Sequence, residues 1–312
     1  MQTPTGELRL RHLVLALGCL LGGCIGSTSH TAEPEAVWGR RGLSPGRFAT
    51  PRAMAIDAQD RLYIVDKSAR IQVFTREGKL LAHWRTPQWQ NGKPTGLGIG
   101  RDGTVMVADT HYFRVLFYTP EGKLLPERTL GGVQGRGPGQ FDLVTDVVQD
   151  QDGYLYVAQY GDNDRIQKFT PEGEFVLQWG GHGSAPGQFR RPQSLVFDAQ
   201  GRLWVADACN HRLQVFTRNG RLLKVLGSEG SGLGQFRFPY DLAFDPQGNL
   251  YVVEFGNHRV QKFSPEGKPL ATWGTHGRGP GQLHNPWAIV CDSQGAIHVL
   301  DTYNNRVQRV RF

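Results

Sequence analysis

The chain has 312 residues and carries 35 Lys and Arg against 28 Asp and Glu, a net charge of +7. It holds no P-loop, no set of nucleophile, base and acid, and no two histidines at the i, i+4 or short-loop spacing of a zinc site, so the motif-marked enzyme classes find no support. Its 41 Gly and 18 Pro punctuate short apolar runs, a pattern of strands and tight turns rather than of helices.

The N-terminus has the order of a secretory leader: Arg9, Arg11 and His12, an apolar run from Leu13 to Leu21, then Gly22 and Gly23. The run is far shorter than the ~20 residues of a membrane-spanning helix. Leu21-Gly22-Gly23-Cys24 resembles the lipobox of bacterial lipoproteins. The resemblance implies that residues 1–23 are removed and that Cys24 is lipidated, anchoring the chain to the cell envelope. An ordinary secreted protein with an incidental Cys24 is the alternative. Ile25 stands where an Asp would favour inner-membrane retention, which points to the outer membrane if the source is Gram-negative. Residues 24–35 lack apolar periodicity and are expected to form a flexible tether. Cys209 and Cys291 are expected to be free thiols, the first on a loop and the second buried in a strand, because a whole repeat separates them.

From residue 36 to 312 a block of about 47 residues recurs six times. A first strand opens on a Pro and closes on an Asp, as in Pro51–Asp57, Pro192–Asp198, Pro239–Asp245 and Pro286–Asp292. A second alternating strand ends at Asp66, Asp109, Gln159, Asp207, Glu254 or Asp301, and a third opens on Arg70, Arg114, Arg165, Arg212, Arg259 or Arg306. A short Gly turn then leads to a fourth strand bearing Trp84, Leu130, Trp179, Leu226 or Trp273. Four strands repeated six times specify an all-β, six-bladed propeller of four-stranded antiparallel blades. The sixth unit lacks a fourth strand, and Ala36-Val37-Trp38-Gly39 matches Ala271-Thr272-Trp273-Gly274, so the N-terminal strand is expected to close the last blade and cover its bare edge. The tether then enters on the short-turn side, which leaves the long-loop face free.

Asn210-His211-Arg212 and Asn257-His258-Arg259 resemble the NHL repeat, as do Pro138–Phe141 and Pro186–Phe189. That resemblance implies an NHL-type propeller over nearly the whole body. The Asp and Arg columns recur in almost every unit and are expected to tie loops between blades, with Asp162 or Asp164 replacing the acidic residue missing at Gln159. His211 and His258, being part of the motif, are assigned to interblade packing. Among the other histidines His284 stands out, in the loop before a first strand.

Positions that vary between repeats are the candidates for ligand contact. At the mouth of the central channel stand Arg52, Tyr240 and Trp287, with Arg190, Arg191 and Arg237 on the entering loops and Tyr112, Tyr160, Phe255 and Tyr303 between second and third strands. A basic face with exposed aromatic rings attracts anions and stacks planar groups. Asp146 and Asp241 lie one position deeper and are candidates for calcium or zinc, although two carboxylates are few for calcium. Export removes nucleic acid from consideration. The chain therefore reads as a monomeric, envelope-anchored binding scaffold, with no cofactor expected, for a protein or anionic glycan. The alternative is a metal-dependent propeller enzyme of the lactonase or peptide-amidating-lyase kind, chemistries found among six-bladed relatives.

Overall fold

Apolar residues alternate along each strand, so a lone blade would leave both faces wet, and only stacking in a ring buries them. The structure, a computed structural model, describes Met1 and residues 32–311; the leader and Cys24 fall outside the described residues. Six four-stranded sheets make the ring. Blade 1 comprises Pro51–Ile56, Leu62–Asp66, Arg70–Phe74 and Leu80–Arg85; blade 2, Gly96–Ile99, Val105–Asp109, Arg114–Tyr118 and Leu130–Gly131; blade 3, Leu143–Gln149, Leu155–Tyr160, Arg165–Phe169 and Phe175–Gly180. Blade 4 comprises Pro192–Phe197, Leu203–Asp207, Arg212–Phe216 and Leu222–Leu226, and blade 5 Pro239–Phe244, Leu250–Glu254, Arg259–Phe263 and Pro269–Trp273. Second strands are buried almost throughout, whereas the fourth strands of blades 1 and 3 alternate half-buried and exposed residues, as expected of an outer edge. The apolar core divides into clusters at the blade boundaries, such as Trp204, Phe236, Leu250 and Phe263 between blades 4 and 5.

Blade 6 is built from Ala288–Cys291, Ile297–Asp301, Arg306–Val310 and the N-terminal strand Ala36–Trp38. The closing register pairs Ala36 with Arg309, Val37 with Gln308 and Trp38 with Val307, as the repeat alignment requires. The folded body starts earlier than expected. Ala32, assigned from sequence to the tether, offers its carbonyl to Trp273 Nε1 at 2.8 Å, and the Glu35 amide donates to the Arg309 carbonyl at 2.8 Å. Residues 32–35 thus occupy in blade 6 the place that a Gly turn occupies in the other blades.

Those Gly turns have a steric reason. A Cβ on Gly78, Gly122 or Gly220 would stand 2.4–2.7 Å from the indole of Trp38, Trp84 or Trp179 on the preceding blade, and all three glycines have positive φ. The Asp and Arg columns pair as expected: Asp66 with Arg70, Asp109 with Arg114, Asp207 with Arg212, Glu254 with Arg259 and Asp301 with Arg306, at 2.5–2.9 Å. Most of these arginines also donate to carbonyls of the entering loop, as Arg212 does to Ser184, Ala185 and Gln188. Blade 3 corrects one expectation. Neither Asp162 nor Asp164 receives Arg165, which instead donates to the carbonyls of Arg136, Gly137 and Gln140. Cys209 and Cys291 are free, but both are half-buried, and Cys209 lies in the short 3-10 turn Ala208–Asn210 rather than an open loop.

Candidate functional site at the channel mouth

The mouth is assembled by β-bulges. In blades 1, 3, 4 and 5 the pairing of first with second strand skips one residue, between Pro51 and Ala53, Val144 and Asp146, Pro192 and Ser194, and Pro239 and Asp241. A bulge leaves the skipped residue out of the ladder and re-aims its side chain. The skipped residues are Arg52, Thr145, Gln193 and Tyr240, and all four line the cavity. Its volume is about 150 Å³, room for a group the size of benzene.

Arg191 is set in place by its own backbone and by its neighbours on both sides. Its backbone is left-handed, at φ 59°, a conformation that costs a non-glycine residue ~1–2 kcal/mol. Asp164 of blade 3 faces its amide, and Gln193 accepts its Nε at 2.9 Å. The guanidinium then lies 4.8 Å from the Tyr160 ring centre and 5.5 Å from that of Tyr240. Arg52 approaches from blade 1, its guanidinium 5.5 Å from the Trp287 ring centre. Tyr240 stacks on Phe255 with centroids 4.6 Å apart and meets Trp287 edge-on at 5.0 Å, and Tyr303 reaches Phe255 at 6.2 Å. Seven of the residues expected from sequence therefore converge: Arg52, Tyr160, Arg191, Tyr240, Phe255, Trp287 and Tyr303.

The electrostatics of this cluster are one-sided. Burial, and next the nearby Arg191, hold the Arg52 guanidinium below its ordinary value, and only tyrosines oppose them. Among the described residues, Arg52 Nε and Trp287 Nε1 are buried without a hydrogen-bond partner. Two guanidinium groups flanked by aromatic rings, with buried donors left open, make a cradle for an anion.

The remaining candidates lie elsewhere. Arg190 and Arg237 are exposed on the rim, and their amides donate to Asp207 and Glu254 at 2.8 and 2.9 Å. Tyr112 takes the Asn91 amide at 3.1 Å and lies under Arg114, serving the loop before blade 2.

Asp146 and Asp241 sit deeper in the channel wall, the first buried and the second half-buried. Asp146 accepts the amides of Val147 and Leu195 at 2.9 and 2.8 Å, stitching blade 3 to blade 4. Asp241 accepts Leu242 and Ile289 at 2.8 and 2.9 Å, stitching blade 5 to blade 6, and takes the Ser194 hydroxyl at 2.6 Å. Burial, and next the charge of Asp241, push Asp146 well above the usual carboxylate range; burial pushes Asp241 up to about 6. Carboxylates already aimed at N–H and O–H hydrogens do not fit a cation that takes six to eight oxygens or four firm ligands. Among the described residues no group of three or more His, Cys, Asp or Glu is placed to hold a metal ion.

Sequence spacing missed one gathering. His258, His276 and His284 come together with ring centroids 4.4, 5.1 and 6.0 Å apart. His258 Nδ1 accepts the Asn285 amide at 3.0 Å, so the neutral ring carries its hydrogen on Nε2 and offers no lone pair there. His211 accepts the Phe238 amide in the same way at 3.1 Å, and Asn305 Oδ1 does so for Thr50 at 2.8 Å. This column bridges blades, as expected for His211 and His258.

A family model for the NHL repeat matches residues 189–216 and 236–263, the first to third strands of blades 4 and 5 with the ends of their entering loops. The chain is a six-bladed propeller that carries NHL repeats in blades 4 and 5. Over 125 residues, 38% of its length, it is 41% identical to peptidyl-glycine alpha-amidating monooxygenase A of Xenopus laevis, of which the match covers 13%. It is 29% identical over 175 residues to NHL repeat-containing protein 3 of Mus musculus, covering 50% of this propeller and 49% of that protein. The chain thus spans less than half the length of these relatives. A streptogramin B lyase shares the fold at a TM-score of 0.62 and 12% identity, over 87% of this propeller and 95% of the lyase.

Proposed function

We propose that this NHL propeller is a binding protein whose long-loop face holds an anionic partner, an envelope protein or an anionic glycan, while a lipid on Cys24 tethers the body to the membrane. The observation that supports the reading is the Arg52 and Arg191 pair, which has no carboxylate partner among the described residues and stands among five aromatic rings at the mouth. Aromatic rings next to guanidinium groups suit a sugar face carrying a carboxylate. Binding of an oligouronate to the full chain tests it. Arg191→Glu and Trp287→Ala should each weaken capture by tenfold or more, whereas Glu172→Ala, in a short turn on the other side, should leave it unchanged. Equal binding by all three would overturn the reading. Metabolic lipid labelling that persists in Cys24→Ser would overturn the anchor.

The local likeness to the amidating monooxygenase favours a second reading, a metal-dependent propeller enzyme working at the channel mouth. Stoichiometric zinc or calcium in the purified chain would support it over the scaffold.

A further inference from the structure

We propose that the ligand of this face is an acidic oligosaccharide at least two sugars long, with one uronate at the channel mouth and the next in a groove between blades 3 and 4. The inference rests on the anion-binding reading above and deepens it, by choosing the glycan over the protein partner. The groove is walled by Tyr160, Asp164, His182, Arg190, Arg191 and Cys209 and holds about 420 Å³. That volume lies within the ~300–1,000 Å³ of small-molecule sites, whereas the channel cavity, at about 150 Å³, falls short of it and seats a single ring. Arg191 joins the two spaces. It lines the groove, donates to Gln193 and lies over Tyr240, and both of these partners line the channel cavity.

The groove exists because blade 4 departs from the repeat. It alone places two arginines before its first strand, where blades 1, 5 and 6 have Ala49-Thr50, Arg237-Phe238 and His284-Asn285. The carbonyls of Arg190 and Arg191 accept the amides of Cys209 and Ala208 at 3.0 and 3.1 Å, which fixes both arginines to the turn Ala208–Asn210. Cys209 is the middle residue of that turn and is small. The same place holds His111 in the turn of blade 2 and Tyr303 in that of blade 6. His182 in turn stands where the loops entering blades 3 and 5 carry Gln134 and Glu229.

The chemistry of the walls selects the ligand. Asp164 is the one acid lining the groove, and it is buried and held by His182 Nδ1 at 2.6 Å. Asp207 accepts the Arg190 amide but pairs its charge with Arg212, at 2.8 Å. The two guanidinium groups of Arg190 and Arg191 are thereby left to an anion. An ionised carboxylate only accepts, so His182 Nδ1 carries the ring hydrogen and Nε2 of the neutral, exposed ring is an acceptor. The groove therefore calls for an acceptor at the arginines and a donor at His182. The carboxylate and a hydroxyl of one uronate supply both, whereas the side chain of a protein Asp or Glu supplies only the acceptor.

Calorimetry of the full chain with galacturonate and digalacturonate tests the proposal. The disaccharide should bind at least about tenfold more tightly than the monosaccharide, the contribution of one hydrogen bond to a charged group. That advantage should disappear in Arg190→Ala, and also in Cys209→Tyr, which fills the groove with the residue that blade 6 already carries in this turn. Arg191→Glu should lose both ligands. A wild type that binds the two equally, or an advantage that survives both groove variants, overturns the groove and leaves the anion reading of the mouth standing. A polyglutamate peptide that binds where neither uronate does overturns the glycan and leaves the mouth to an acidic protein. No binding by uronate or peptide overturns the anion reading itself, and the groove with it.

Discussion

Ring closure by the N-terminal strand gives the body its most exacting test, because three residues, Ala36–Trp38, supply the fourth strand of blade 6. Trp38 reaches across to blade 1, its ring 5.0 Å from Phe74 and 6.0 Å from Phe48, and fills the space left by the missing Cβ of Gly78. Truncating a core Trp to Ala costs ~3–5 kcal/mol. Trp38 is half-buried, so the lower end applies, about 3 kcal/mol. At ~2 °C per kcal/mol for a domain of this size, Trp38→Ala should lower the melting temperature by about 6 °C. Deleting residues 36–38 should do more, since it also bares Arg306–Val310 as an unpaired edge. Differential scanning calorimetry gives the first number, and amide hydrogen exchange at residues 307–310 reports the edge directly. Val176→Ala, an exposed change on the fourth strand of blade 3, is the control and should stay within ~0.5 kcal/mol. A deletion that left both the melt and the protection of residues 307–310 unchanged would show that the ring does not depend on this strand.

Arg52→Leu should abolish anion binding yet raise the stability of the ligand-free protein by ~1 kcal/mol, the low end of what apolar replacement of buried charges yields; urea unfolding beside a binding assay checks both. Gly122→Ala and Gly132→Ala separate packing from backbone strain: both have φ of 90–100°, but only at Gly122 would the new methyl meet an indole, Trp84 at 2.4 Å. The first should cost ~2–4 kcal/mol and the second ~1–2, read as urea midpoints, and equal costs would refute the steric account of the turn. His258 is held below its ordinary pKa of 6.5 by burial, then by His276 and His284. A depressed folded value means that the stability from its neutral acceptor is complete above ~6.5 and is lost as pH falls through the folded pKa. His258→Asn, which copies Asn305, should flatten the loss of stability between pH 7 and pH 5, measured as urea midpoints across that range.

Blade number, strand order and closing register were legible in the sequence because each is written six times, and a spacing repeated that often has few other packings. The members of the mouth were legible for the opposite reason: Arg52, Tyr240 and Trp287 occupy a column that changes in almost every blade. What stayed hidden depends on distance between blades. His258, His276 and His284 are separated by 18 and 8 residues along the chain, and only the ring brings them together. Ala32 was hidden because a segment replacing a Gly turn need not resemble one. A further signal was present and would have shown how the loops are held. The third strands of blades 1, 3, 4, 5 and 6 carry Gln72, Gln167, Gln214, Gln261 and Gln308, and each accepts a Gly amide of the entering loop, at 2.8–3.0 Å.

Departures from that bracing come in matched pairs, which indicates where the repeat has been released for other use. Blade 2 has Leu116 in place of the bracing Gln, and its entering loop, residues 86–95, lacks the Pro-Gly-Gln-Phe turn that the Gln would hold. Blade 3 has Gln159 in place of the acidic residue, so Arg165 falls back on carbonyls alone and the nearby Asp164 is free of it. Asp164 faces the Arg191 amide and pairs with His182 Nδ1 at 2.6 Å, which places it at the root of the mouth rather than in the brace. Its burial raises its pKa against the pull of His182, a cost with no return to blade 3 itself. A carboxylate beside one left-handed arginine, next to a second arginine with no carboxylate partner among the described residues, gives up local stability at one rim to leave positive charge there, as the binding reading proposed above requires.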